Sequence, residues 1–388
     1  MSTHISLMWM KRNFSALAPL ILLLTTTAIS ADKNNPYRLT APNGGVMVES
    51  HQGSYALHVR QPVKIVHGDM TMTGDDGWLY QQEEKAVLKG NVVIQDRDKT
   101  LYADQVIYLK RDRRTMLEGN VLIHDFEREM RGNQAVYWRD QKRIEATGNV
   151  SLYDYKQKLT LHAQRGVYNG ETGLAEFDEY PEFILHDARQ SDDGGQQPIT
   201  VQADLMQYFS DSEKVIALGD VSIHHQDALA YCGQAIFSRK SDEIYMIHEP
   251  VIGYQDSTTQ SQAQGDTIFA IMEKDKLRQI AILGNAVVAH YSLSDTSDSV
   301  NGLSDKRPNL ATGDVIRMYI RQNRVQRMII SGNARSVYFP VDKSTQSQER
   351  NDVSGARIGF EMNRGKIKEV SVAGACKGRY FFPEKETK

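Results

Sequence analysis

From Lys85 onward, apolar residues occupy every second position. Ala86, Leu88, Gly90, Val92 and Ile94 fall on one side of the run, while Lys85, Lys89, Asn91 and Gln95 fall on the other, with Val93 an apolar exception. The same alternation returns at Thr115, Leu117, Val121 and Ile123, and again at Ile144, Ala146, Val150 and Leu152. A period of two marks a half-buried strand, because successive side chains point to opposite faces. A helix would return its apolar residues every three or four positions. Charged clusters such as Lys110-Arg111-Asp112-Arg113-Arg114 separate the strands and supply solvated turns.

These strands belong to a longer register. Small residues stand 29 apart at Gly45, Gly74, Ala103 and Gly132, and recur as Ala163, Ala203, Cys232, Ala263, Gly313 and Gly355. Sixteen residues beyond the first four stand Gln61-Pro62, Gly90-Asn91, Gly119-Asn120 and Gly148-Asn149. That landmark continues as Tyr180-Pro181, Gly219-Asp220, Glu249-Pro250, Gly284-Asn285, Gly332-Asn333 and Gly374-Ala375. Glycine inside such a strand marks a bend, a bulge or a close backbone approach. Five residues beyond the small position lies a large side chain: Leu79, Tyr108, Tyr137, Tyr168, Tyr208, Phe237, Ile268, Met318 and Phe360. About ten such units fill residues 45–382, a registered repeat rather than a chance dipeptide. One two-strand unit buries too little to fold alone, so the expectation is an elongated all-β stack with one strand per unit in each of two facing antiparallel sheets.

Within that frame the inward candidates are Leu88, Val92, Ile94, Leu117, Val121, Ile123, Val150, Leu152, Val221 and Ile223. Ile107, Val136, Val167 and Ile236, counted on the small-residue face of the other strand, are expected to line the facing sheet. Two polar stretches interrupt the register. Residues 187–199 read as a linker or loop between a first half, 32–186, and a second half, 200–382; residues 291–310 read as an insertion. The Lys-rich residues 383–388 read as a tail.

The N-terminus has its own pattern. Lys11 and Arg12 precede the apolar run Ala16 to Leu24, followed by the small residues around Ala28-Ile29-Ser30-Ala31. This is the three-part order of a cleavable secretory signal over residues 1–31. The run is well short of the ~20 apolar residues that span a bilayer. No cysteine follows it, so lipoprotein anchoring is not expected.

Composition removes several functions. A net charge of −3 over 388 residues offers no clustered basic surface, so no nucleic-acid partner is expected. Two cysteines, Cys232 and Cys376, supply neither a disulfide scaffold nor a cysteine-rich zinc site, and leave one mutual bond open. Cys232 fills a small-residue position and reads as a packed side chain. His224-His225 would face opposite ways on a strand, and Gly74-Asp75-Asp76-Gly77 lacks the further carboxylates of a calcium loop. G-x-S-x-G, G-x-x-x-x-G-K-[ST] and H-E-x-x-H are all absent, and no acidic position looks reserved by the repeat. Neither an enzyme nor a cofactor is expected.

The segments LYADQVIYL and MLEGNVLI carry an alternation that resembles the OstA-like repeat, found in LptA, the soluble domain of LptC and the N-terminal domain of LptD. The likeness runs from Gly45 to Phe382, is strongest between Gly74 and Leu152, and is nearest to the LptA type, although this chain is much longer. The resemblance implies an open β-jellyroll with an apolar interior. It also implies a periplasmic role in lipopolysaccharide transport between the inner and outer membranes. The implied partners are the lipid A acyl chains, LptC-like and LptD-like jellyroll domains, and further copies joined end to end through the edge strands around residues 45–66 and 355–382.

Overall fold

A computed structural model describes residues 28–29, 37–41, 45–51, 54–185, 198–257, 259–273, 276–292, 308–322, 324–339, 349–363 and 366–382. Residues 1–27 and 30–31 of the expected signal, most of the 187–199 and 291–310 stretches, and the 383–388 tail lie outside the described residues. The described chain is all-β, with no helix among those residues and therefore none long and apolar enough to cross a membrane.

The chain forms two compact units, Met1–Ala146 and Thr147–Lys388. The strands of the first are β1 (Ala28–Ile29), β2 (Tyr37–Thr40), β3 (Val46–His51), β4 (Ser54–His67), β5 (Met70–Tyr80), β6 (Lys85–Asp96), β7 (Lys99–Leu109), β8 (Arg114–His124) and β9 (Arg128–Trp138); β10 (Arg143–Asp154) carries the boundary. From β4 to β9 each strand pairs antiparallel with the next, and β2 and β3 pair with the two ends of β4.

The second unit contains β11 (Leu159–Asn169), β12 (Leu174–Asp178), β13 (Glu182–Leu185), β14 (Ile199–Gln202), β15 (Leu205–Phe209), β16 (Lys214–His225), β17 (Ala228–Ser238), β18 (Glu243–Ile247), β19 (Val251–Gln255), β20 (Thr259–Gln264) and β21 (Thr267–Glu273). It continues through β22 (Lys276–Ser292), β23 (Asn309–Arg321), β24 (Arg324–Tyr338), β25 (Arg350–Asn363), β26 (Lys366–Ala373) and β27 (Lys377–Phe381). At two of the three X-Pro landmarks one strand position is split in two, whereas β4 runs unbroken through Gln61-Pro62. Thus β11 pairs with both β12 and β13, on either side of Tyr180-Pro181, and β17 with both β18 and β19, on either side of Glu249-Pro250. Proline cannot donate to the ladder, so the pairing is interrupted at each, as a corner between Arg60 and Val63 in β4 and as a strand break at Pro181 and Pro250. The strands flanking the 187–199 stretch, β13 and β14, pair directly with each other.

Elsewhere the landmark is a corner within an unbroken strand. Lys89 pairs with Gln105 and Val92 with Ala103, so Gly90 and Asn91 together oppose the single residue Asp104. Gly90 sits at φ +73° and Asn91 at +46°, and the same left-handed pair recurs from Gly119-Asn120 to Gly374-Ala375. A Cβ on Gly119 would lie 2.3 Å from the Asp104 carboxylate, so glycine is required twice over, by backbone and by space. The Asn91 amide donates to Asp75 at 2.8 Å, as Asn120 does to Asp104 at 2.8 Å and Asn333 to Asp314 at 3.1 Å. These side chains satisfy one another where the ladder is interrupted. A bulge bends its strand, so each strand has two arms, one on either side of the corner.

Candidate functional site

The corners decide which side chains face inward. On the Gly-Asn strand the corner holds two residues, and Leu88 and Val92 on either side of it face the same way, as do Leu117 and Val121. On the neighbouring strand the corner holds one, and alternation reverses: after Ala103 the next inward residues are Val106 and Tyr108.

The consequence corrects part of the sequence reading. Leu88, Val92, Ile94, Leu117, Val121, Ile123, Val150, Leu152, Val221 and Ile223 are all buried. Ile107, Val136, Val167 and Ile236 are only half-buried and lie on the other face, because the single bulge residue shifts them by one position. Their inward places go to Val106, Ala135, Gly166 and Ala235, followed by Tyr108, Tyr137, Tyr168 and Phe237. The large side chain five residues past the small position is therefore interior in nearly every case; Met318 is half-buried.

A second set of residues, missed in the sequence, lies at the outer ends of the arms. In the first unit one margin consists of the turns after His67, Asp96 and His124. The other consists of the turns after Tyr80, Leu109 and Trp138. Residues on opposite margins, three strands apart in the sheet, are nonetheless in contact. Tyr108 on β7 shares a 2.8 Å hydrogen bond with His67 Nδ1 on β4. The Tyr137 hydroxyl on β9 donates to Asp96 on β6 at 3.1 Å, and Arg139 Nε reaches the same carboxylate at 2.9 Å. Arg139 also donates to Asp69. Such contacts require the sheet to fold over along its line of corners until the margins meet.

Burial shapes the chemistry of this seam. It pushes the Tyr108 hydroxyl up to about 12 and raises Tyr137 further, with help from the nearby Asp96 charge. Both stay neutral. Burial opposes the Arg139 charge, but its bonds to Asp69 and Asp96 more than offset this and hold its proton firmly. Bonds from Arg139 and Arg97 hold the exposed Asp69 carboxyl down at about 2.

The second unit repeats the geometry once with polar groups and once without. Tyr208 on β15 donates to Asp154 on β10 at 2.7 Å, again three strand positions away. Phe237 on β17 meets Phe183 on β13, also three positions away, edge to face at 5.4 Å. The later members of this row, Ile268, Met318 and Phe360, carry no hydroxyl.

These findings revise the reading of the acids. Asp96, Asp125 and Asp154 stand 29 residues apart, so the repeat does reserve an acidic position. Asp96 and Asp154 use it to bind across the seam. The 29-residue spacing was the signal that would have found them. His224 is exposed and His225 half-buried, and among the described residues no group of three or more His, Cys, Asp or Glu could hold a metal ion. Asp75 and Asp76 lie within β5, bonded to Asn91 and His58. Cys232, buried, and Cys376, exposed, are both free. Burial pushes the Cys232 thiol up to about 11, which suits a packing role.

A scan against protein families finds no match for this chain, and a search of curated proteins finds none either.

Proposed function

We propose that this chain is an OstA-like periplasmic lipopolysaccharide-binding transport protein. In this reading its strands form an open β-jellyroll of two facing sheets, built from about ten units, within a bridge between the inner and outer membranes. The observation that carries the reading is the inward apolar row, Leu88, Val92 and Ile94 on β6 repeated as Leu117, Val121 and Ile123 on β8, beneath a polar outer face.

The physics suits carriage. Exposing an acyl chain to water costs ~0.8 kcal/mol per methylene, so a chain of about a dozen methylenes costs on the order of 10 kcal/mol. A carrier needs a continuous apolar surface with no single tight site, and near-identical successive strands supply near-equal successive sites. Export by the signal-like residues 1–31 belongs to the same proposal. So does docking to LptC-like and LptD-like domains or to further copies: β26 and β27 pair with β25 and, among the described residues, with nothing beyond it. Val370, Tyr380 and Phe381 are exposed on those last strands, which leaves an edge available for pairing.

A structural β-stack of the envelope that carries no lipid is the second reading. What favours it is the near-complete burial of the first unit's interior, where Leu88 and Ile94 are 0% exposed. Binding separates the two. Purified full-length protein should bind lipopolysaccharide, and Val121→Glu should weaken that binding at least tenfold with the strand signal in circular dichroism retained. No binding by the parent protein would favour the structural reading.

A further inference from the structure

The seam contacts do not resemble ordinary packing. Three tyrosine hydroxyls, on Tyr108, Tyr137 and Tyr208, each cross from one margin to a polar partner on the other, always three strand positions away. All three bonds are buried, and Arg139 doubles the second. From Phe237 onward the same row is Phe, Ile, Met and Phe, so this bond is chemically unavailable to it.

Burial changes along with the row. On β6 the buried alternation runs from the corner to the turn, through Val92, Ile94 and Asp96. On β22 it ends at the corner: Ala286 is buried, while Val287, Val288, Ala289 and His290 are all half-buried. On β24, Ala334 is buried, Ser336 is half-buried and Tyr338 is 37% exposed.

We infer that the tyrosine pairs are a lateral latch over the interior. They hold the margins of the first unit together against an incoming acyl chain, while the last strands of the second unit, β22 to β25, lack the latch and accept the chain directly. This inference rests on the carrier reading above and names where in the chain a lipid is first admitted. Tyrosine suits the task. Its ring belongs to the apolar lining, and its single hydroxyl bond is strong enough to close the seam yet breakable without leaving a charge unpaired on the tyrosine itself.

The test compares the full-length protein with Tyr108→Phe/Tyr137→Phe, which removes two hydroxyls and keeps both rings. Each protein receives a short pulse of a photoreactive fatty acid, and the labelled peptides are mapped. In the parent, peptides from β22 to β25 should label first. In the double variant, peptides from β6 to β9 should gain about tenfold in early labelling while the β22–β25 peptides stay unchanged. Early labelling of β6–β9 that is present and equal in both proteins would overturn the latch.

Hydrogen exchange without any lipid provides the independent arm. Loss of the latch should raise exchange about tenfold at both margins together, at the turns after Asp96 and after Trp138. A change confined to the residues beside Tyr108 and Tyr137 would count against it. If no peptide labels in either protein but both margins open together, the carrier reading fails and the latch stands. Should the double variant not fold, Tyr208→Phe poses the same question within the second unit, read at the turn after Asp154.

Discussion

The strands of the first unit and the last strands of the second have the same kind of corner, but their interiors are buried to different degrees. Gly90-Asn91 bonded to Asp75 and Gly332-Asn333 bonded to Asp314 are the same device, with φ values within a few degrees of each other. Beyond the corner they diverge. β6 ends in a buried carboxylate held by Arg139 and Tyr137, whereas β24 ends in an exposed tyrosine, and its ion pair, Arg335 with Asp352, lies on the surface. The corner therefore sets which residues face inward, and the margins set how completely the interior is sealed. One backbone plan serves both a closed and an accessible stretch.

Removing one partner of each ion pair should break this comparison most visibly. Asp96→Ala leaves the Arg139 guanidinium, 4% exposed, with the exposed Asp69 carboxylate but without its buried one, takes away the acceptor of the Tyr137 hydroxyl, and should destabilise by about 3 kcal/mol. Asp352→Ala acts on a pair whose arginine is 56% exposed and should cost about 1 kcal/mol or less. Urea unfolding of the two variants measures the difference; equal losses would mean that the seam is no more sealed than the surface.

A smaller effect should come from the corners. Gly119→Val forces a β-branched residue to φ +77° against Asp104 and should cost about 2 kcal/mol or more. Gly253→Ala, whose new methyl would meet only the Leu229 carbonyl oxygen at 3.7 Å, should stay within about 1 kcal/mol of the parent by the same measurement.

The smallest is a pH effect at Asp69. Its carboxyl titrates at about 2 in the fold, against about 3.8 without partners. The stability it adds is present above pH about 4 and disappears as pH falls through about 2. The stability gap between the parent and Asp69→Asn should be flat above pH 4 and narrow below it. A gap that widens on acidification would reverse the assigned sign.

Much of this fold was legible from register. Alternation located the strands, and the small-residue and Gly-Asn landmarks marked the corners, because a bulge needs residues that tolerate left-handed backbone and close approach. Parity across the corner was not legible. Counting by twos from Ala103 reaches Ile107, and only the pairing of two residues against one shows that Val106 and Tyr108 are the inward pair. The seam was hidden for another reason. Arg139 finds its acids 43 and 70 residues earlier in the chain, and a buried charge looks like a turn residue until folding brings its partners to it. The fixed 29-residue spacing of Asp96, Asp125 and Asp154 was the available clue.

The central claim is that the inward row meets lipid acyl chains, and photocrosslinking from single positions tests it most directly. A photoreactive residue placed at Val121 or at Val150, both inward, should crosslink to lipopolysaccharide in the cell envelope, and one placed at the outward-facing Ile107 should not. Crosslinks from Ile107 equal to those from Val121, or none from either inward position, would contradict the account.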